Sequence, residues 1–180
     1  LIERMRKIRT IEMDRLTVEE YKNSDKLPVT VVLDNIRSLY NVGSVFRTSD
    51  AFRIERIILC GVTGCPPNTE IHKTALGAEE SVEWIYFKDT LDAVKQLKDD
   101  GYFIYSVEQV EHSTKLQKLN LDNCHRYAVI FGNEVKGVQQ CVVDASDGCI
   151  EIPQFGTKHS LNVSVTAGIL IWEFTKLLKL

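Results

Sequence analysis

Ile150-Glu-Ile-Pro-Gln-Phe-Gly-Thr-Lys-His-Ser-Leu-Asn-Val-Ser-Val-Thr-Ala-Gly-Ile169 is the stretch on which the reading of this chain turns. Ile150 and Ile152 suit the end of a strand, and Pro153 cannot donate to a sheet ladder, so the chain leaves the sheet there. Ser160 or Asn162 can cap the helix that follows. That helix is apolar over most of its circumference, through Val163, Ala167, Ile169, Leu170, Ile171, Trp172 and Phe174, and needs cover from its own sheet or from a partner subunit. Its start offers unpaired NH groups beside Lys158 and His159, a place to hold a polar or anionic ligand. The same stretch equally suits an ordinary strand-loop-helix unit of an α/β core.

Upstream, β-branched and aromatic runs predict strands at 29–33, 54–60, 82–87, 102–107 and 127–131. Helical spacing predicts helices at 42–52, at 70–77 with Gly77 ending it, at 90–98, and a short one carrying Val138, Cys141 and Val142. The polar stretch with Ser113, Thr114, Lys115 and Lys118 carries no element. Strands alternating with helices give an α/β fold, a mostly parallel sheet covered by helices on both faces. On the helix at 42–52, Val42, Val45, Phe46 and Ser49 face the core. Gly43, Arg47 and Asp50 share the other face, where Arg47 is either free or paired with Asp50. Ile2, Met5, Ile8, Ile11, Leu16 and Tyr21 predict one or two amphipathic helices outside the core. The expected organisation is an N-terminal helical extension, 1–27, and one domain, 28–180.

With 180 residues, 44% hydrophobic and 26% charged, the chain can bury one sizeable core. The charge-free run 160–172 is shorter than a membrane span and interrupted by Asn162, Ser164 and Thr166. The N-terminus, with Arg4, Arg6, Lys7 and Arg9, lacks the apolar segment of a secretory signal, so a cytoplasmic protein is expected. A start at Leu1 rather than Met predicts a missing or processed N-terminus. Cys60, Cys65, Cys124, Cys141 and Cys149 form no CxxC pair and are odd in number, against both a zinc cage and a disulfide framework. The net charge of −3 means that any RNA site is a local basic patch.

Gly132-Asn-Glu-Val-Lys-Gly137 is a turn with glycines at both ends, which lets backbone approach a ligand closely. It is neither a Walker loop nor the GxGxxG fingerprint, which weighs against a nucleotide-binding enzyme of other chemistry. Three stretches stand in order at the C-terminal ends of predicted strands: Asn41-Val-Gly-Ser-Val-Phe-Arg-Thr-Ser-Asp-Ala51, Phe131-Gly-Asn-Glu-Val-Lys-Gly137 and Ile152-Pro…Ser-Leu-Asn-Val-Ser-Val165. Together they resemble the three signature motifs of the SpoU (TrmH-like) branch of the SPOUT family of RNA 2′-O-ribose methyltransferases. Thr74-Ala-Leu-Gly77 is similar to a further segment of that family, and the likeness covers residues 28–178.

The resemblance implies a deep trefoil knot in the C-terminal part, against the general rarity of knots. It also implies S-adenosyl-L-methionine as cofactor, no metal, and a homodimer whose interface includes the last helix. Carried over residue by residue, Gly132, Glu134, Ile152, Ser160, Leu161 and Asn162 hold the cofactor, while Arg47, with Asn41, Ser160 and Asn162, serves the reaction. Ile152 and Leu161 can form an apolar slot for adenine, though Leu161 also reads as core and Asn162 as a helix cap. Glu134 either counters the sulfonium charge or braces its loop. Arg37, Arg53, Lys73, Lys136, Lys158 and His159 are candidates for RNA backbone contacts. The implied activity is methyl transfer to a ribose 2′-hydroxyl. Residues 1–27 are too few for the separate RNA-binding domain of many rRNA-directed relatives, so tRNA is favoured over rRNA. A non-catalytic RNA-binding or ribosome-assembly module on the same scaffold is the alternative.

Overall fold

The computed structural model describes residues 5–180. Its centre is β1 (Leu27–Asp34), whose uninterrupted apolar run is buried on both faces, as a central parallel strand requires. The other strands are β2 (Ile54–Cys60), β3 (Trp84–Phe87), β4 (Tyr102–Val107), β5 (Thr114–Lys115), β6 (Arg126–Phe131) and β7 (Gly148–Glu151). They form one seven-stranded sheet in the order β3-β2-β1-β6-β4-β7-β5, with every neighbouring pair parallel.

Successive residues of β1 and β6 feed opposite cores. Val31, Leu33, Val129 and Phe131 pack towards α2 (Leu39–Ala51) and α7 (Val163–Lys179). Val32, Ala128 and Ile130 pack on the other face with α5 (Thr90–Asp99) and Val142 of α6 (Gln140–Ala145). Phe46, Phe131 and Phe174 are fully buried, each contributing roughly 1.5–3 kcal/mol by leaving water.

Several expectations need correction. Helix α2 begins at Leu39 rather than residue 42, because Ser38 Oγ caps it by accepting from Asn41 N at 3.3 Å. The face expected to look outward instead packs on α3 (Thr69–Ala75) and α4 (Ala78–Ser81). A Cβ on Gly43 would lie 2.1 Å from Thr74 Oγ1 and 2.2 Å from the Ile71 carbonyl oxygen, so glycine permits the close approach of α2 and α3. Asp50 accepts from Ser81 Oγ instead of pairing with Arg47, and Arg47 alone of that face is exposed. Helix α3 stops at Ala75, where Leu76 turns left-handed at φ 54°. Gly77, at φ 93°, then opens α4, which delays β3 to Trp84.

At the N-terminus, Met5, Ile8, Ile11 and Leu16 are exposed on chain with a single 3-10 turn, Thr10–Glu12; Ile2 lies outside the described residues. Helix α1 (Val18–Asn23) forms behind a Thr17/Glu20 capping box and sends Tyr21 into the main core, so this element is not outside it. Strand β7 ends at Glu151, leaving Ile152 outside the sheet.

The unexpected β5 falls in the polar stretch, and its position matters for the site. Val107 of β4 and Thr114 of β5 both register with Ile150 of β7. The later strand therefore lies between two segments that adjoin in sequence, joined by residues 108–113. No helix among the described residues is long and apolar enough to cross a membrane.

Candidate functional site

A cleft of about 640 Å³ opens at the C-terminal ends of β4, β6 and β7, the position where open parallel sheets take ligands. Gly132, Glu134, Ile152, Ser160, Leu161 and Asn162 all stand on its wall, together with Lys136 and His159.

The turn after β6 is closed by reciprocal bonds: Asn133 N donates to the Gly137 carbonyl (3.0 Å) and Gly137 N to that of Asn133 (2.9 Å). A Cβ on Gly132 would sit 2.1 Å from Gly137 C and Val138 N, so no larger residue fits without moving backbone. Asn133 Oδ1 accepts from Val135 N (2.9 Å) and Lys136 N (3.1 Å), and its Nδ2 donates to the Asn35 carbonyl (2.7 Å). The turn is thereby tied to the end of β1.

Glu134 reaches across to α2. Its carboxylate accepts from Arg37 N and Ser38 N, both at 3.0 Å, and from Asn41 Nδ2 at 3.2 Å. The two backbone donors lie at and just before the N-cap of α2, beside a helix start where a negative charge is favoured. Burial pulls the Glu134 carboxyl upward, but the Arg37 and Ser38 NH groups and the Asn41 amide together outweigh it and hold it below the usual carboxylate range.

Asn41 Oδ1 accepts from Asn162 Nδ2 at 3.2 Å. Asn162 also caps α7, its Oδ1 accepting from Ser164 N at 2.9 Å, so cap and bridge are one residue. A single hydrogen-bonded chain, Glu134 to Asn41 to Asn162, joins three segments far apart in sequence.

The remaining residues divide. Arg47 is exposed and forms no hydrogen bond or ion pair among the described residues. It stands six residues beyond Asn41 on α2, roughly 9 Å along the axis, and off the cleft wall. Arg37 and Lys158 are exposed near the same end. Lys73 is ion-paired with Glu70 at 2.7 Å. Arg53 is not brought to the cleft: it sits at φ 52° just before β2, at the N-terminal ends of the strands.

Sequence reasoning missed Glu108, Gln109 and Asp34. Glu108 Oε2 accepts from Val138 N at 3.0 Å on the cleft wall, and Gln109 Nε2 holds the His159 carbonyl at 2.7 Å. Fully buried Asp34 accepts from Thr90 Oγ1 (2.6 Å), Asn35 Nδ2 (2.9 Å), Gln139 Nε2 (2.9 Å) and Gln139 N (3.2 Å). A carboxylate ending an otherwise apolar strand was the available signal for Asp34; the other two follow β4 without one.

Chemically, the wall combines apolar side chains of Phe131, Ile150, Ile152 and Leu161 with the carboxylates of Glu108 and Glu134. The NH groups of Ser160 and Leu161 have no intrachain partner among the described residues. Such a cleft suits a flat heteroaromatic ring joined to a cationic group, and its donor set fits S-adenosyl-L-methionine, which carries no phosphate.

Residues 28–172 match the SpoU rRNA methylase family. An uncharacterised tRNA/rRNA methyltransferase of Borreliella burgdorferi is 31% identical over 97% of this chain and 74% of its own length. A Staphylococcus saprophyticus protein assigned to TrmH family tRNA/rRNA methyltransferases is 29% identical over 87% of this chain, which spans only 61% of that relative. The fold is similar to that of the A. aeolicus TrmH/SpoU tRNA modifying enzyme, with TM-score 0.77 and 22% identity over 89% of this chain and 81% of that one. It is similar also to the AdoMet-bound rRNA methyltransferase from Sinorhizobium meliloti, with TM-score 0.77 and 23% identity over 87% and 59%. With the family's motifs joined around one cleft and the match spanning most of the chain, this protein belongs to the SpoU (TrmH-like) family.

Proposed function

We propose that this protein is an S-adenosyl-L-methionine-dependent RNA methyltransferase acting on a ribose 2′-hydroxyl, with tRNA favoured over rRNA and the cytoplasm as its place of work. The observation that carries this reading is the Glu134–Asn41–Asn162 chain, which fixes three motif segments about one cleft. The cofactor, when bound, supplies a methyl group on a positively charged sulfur. Ile152 and Leu161 offer the apolar slot, the free NH groups of Ser160 and Leu161 suit a ring edge, and Glu134 both braces the turn and lowers the potential nearby. Because a guanidinium keeps its proton, Arg47 acts as a positioner. It holds an RNA phosphate and steadies negative charge developing on the attacking oxygen. Ser160 and Asn162 hydrogen-bond the substrate hydroxyl, and positioning supplies much of the acceleration. Lys136, Lys158, His159 and Arg37 give local positive charge for the RNA backbone.

Residues 28–180 form the catalytic unit, and 1–27 an extension whose Tyr21 and Leu27 complete the unit's main core. A deep trefoil knot in the C-terminal part is supported by β7 lying between β4 and β5, under the 108–113 connection. A homodimer through α7 is supported by its half-exposed Val165 (52%) and Trp172 (48%), which leave an apolar strip uncovered.

The test is transfer of radiolabelled methyl from S-adenosyl-L-methionine to total tRNA and, separately, to rRNA, by the wild type and Arg47→Ala. Alkali-stable label entering one pool, and lost in the variant, supports the reading. Cofactor binding with no transfer to either pool would sink it in favour of a binding module.

A further inference from the structure

Phe155 is 96% exposed, whereas the next most exposed aromatic among the described residues, Tyr40, is 50% exposed and has its hydroxyl bonded to Glu70. Its loop is not a loose excursion. It leaves the end of β7, and it is held again where the His159 carbonyl accepts from Gln109 Nε2 at 2.7 Å. Gln154 on one side, and His159 and Ser160 on the other, line the cleft, so Phe155 lies in the loop bordering it, outside the lining itself. Residues 152–161 contain Lys158 and His159 and no carboxylate, in a chain whose net charge is −3. Lys136, in the turn after β6, also lines the cleft.

An uncovered ring beside free cations matches one kind of partner: a flat apolar face linked to an anionic backbone. We propose that Phe155 is a stacking platform for an unpaired nucleotide of the substrate RNA, with Lys158 and His159 taking the adjoining phosphate. This rests on the methyltransferase reading and narrows its substrate. Bases inside a duplex already stack on their neighbours, whereas loop and end bases have a free face to offer. The enzyme therefore acts on single-stranded nucleotides.

The test is fluorescence anisotropy with end-labelled oligouridylate, alone and annealed to oligoadenylate, using the wild type, Phe155→Ala, Phe155→Leu and Phe155→Trp. Removing the aromatic face, by alanine or by leucine, weakens single-strand binding about tenfold, while tryptophan preserves it. Duplex binding stays unchanged in all four, and so does cofactor affinity by calorimetry. Equal single-strand affinity in Phe155→Ala, or full affinity in Phe155→Leu, overturns the proposal. So does a Phe155→Ala variant that loses self-association in sedimentation, since the ring would then be covered by a second copy. Wild-type protein that keeps the ring-dependent preference yet methylates no RNA would overturn the proposed function and leave this inference standing.

Discussion

Two groups of cations, one at each end of the sheet, are held in different ways. At the N-terminal ends of the strands, Arg126 pairs with Glu55 and the Tyr102 hydroxyl and lies 4.2 Å from that ring's centre. Arg56 lies 5.6 Å from the same ring and 3.7 Å from Asp100. At the C-terminal ends, Arg37, Lys136 and Lys158 have no such side-chain partners among the described residues, nor does Arg47 part-way along α2, and the carboxylate of Glu134 is bonded to backbone NH groups and the Asn41 amide instead. Composition alone does not separate these ends. What separates Arg56 and Arg126 from Arg37, Lys136 and Lys158 is whether the cation is already satisfied, because a paired and stacked guanidinium has little left to offer a ligand; Lys115, paired with Glu151, belongs with the first group despite its place at the other end.

The largest effect expected follows from exchanging loss at one end for loss at the other. Arg47→Ala should lower methyl transfer by about 100- to 1000-fold with little change in thermal midpoint. Arg126→Ala should leave transfer unchanged while costing about 1 kcal/mol of stability, a fall of about 2–4 °C. Loss of activity in Arg126→Ala would break the division between the ends. Next comes Gly132→Ala: its Cβ would meet backbone at 2.1 Å, and displacing the turn should weaken cofactor binding at least about tenfold by calorimetry.

A smaller effect concerns Glu134→Gln. The folded carboxyl lies below its unfolded range, so its contribution is present above that range and is lost as pH falls through the folded value. The glutamine variant should be less stable by about 1 kcal/mol at neutral pH, discounted for exposure, with the gap closing in thermal melts as the pH falls below the ordinary carboxylate range and through the folded value. A gap that persisted in acid would mean that the brace does not depend on charge. The smallest effect is electrostatic: Lys136→Ala should reduce the salt slope of RNA binding by about 1, while Lys73→Ala, already paired with Glu70, should hardly move it.

Much of this was legible in the residues. The runs that became β1, β2, β4 and β6 announce buried parallel strands because both faces of a central strand are apolar. The turn at 132–137 and the proline-bearing exit from β7 were legible because glycine and proline limit the backbone in ways that do not depend on distant contacts. What escaped depends on partners remote in sequence. Helix α2 starts early because Ser38 caps it while Glu134, nearly a hundred residues away, holds the NH groups of Arg37 and Ser38 that lead into it. Two paired residues, Thr114 and Lys115, cannot register as a strand in a polar stretch, since β5 exists only by its pairing with β7. Arg53 stands among the candidates for RNA contact as a cation in a loop between predicted elements, yet α2 runs the length of the sheet and delivers it to the N-terminal ends of the strands.

The place of β7 between β4 and β5 also orders events in time. The segments on both sides of it, and the connection over it, leave the ribosome before residues 148–151 do. A nascent chain can pair β1, β2 and β3, and then β6 with β1 and β4, before β7 emerges, and the wall carrying Ile152, Ser160, Leu161 and Asn162 is added after these strands. The cleft is thus a late product of synthesis, and a chain stalled before residue 148 holds a sheet without the cleft's last wall.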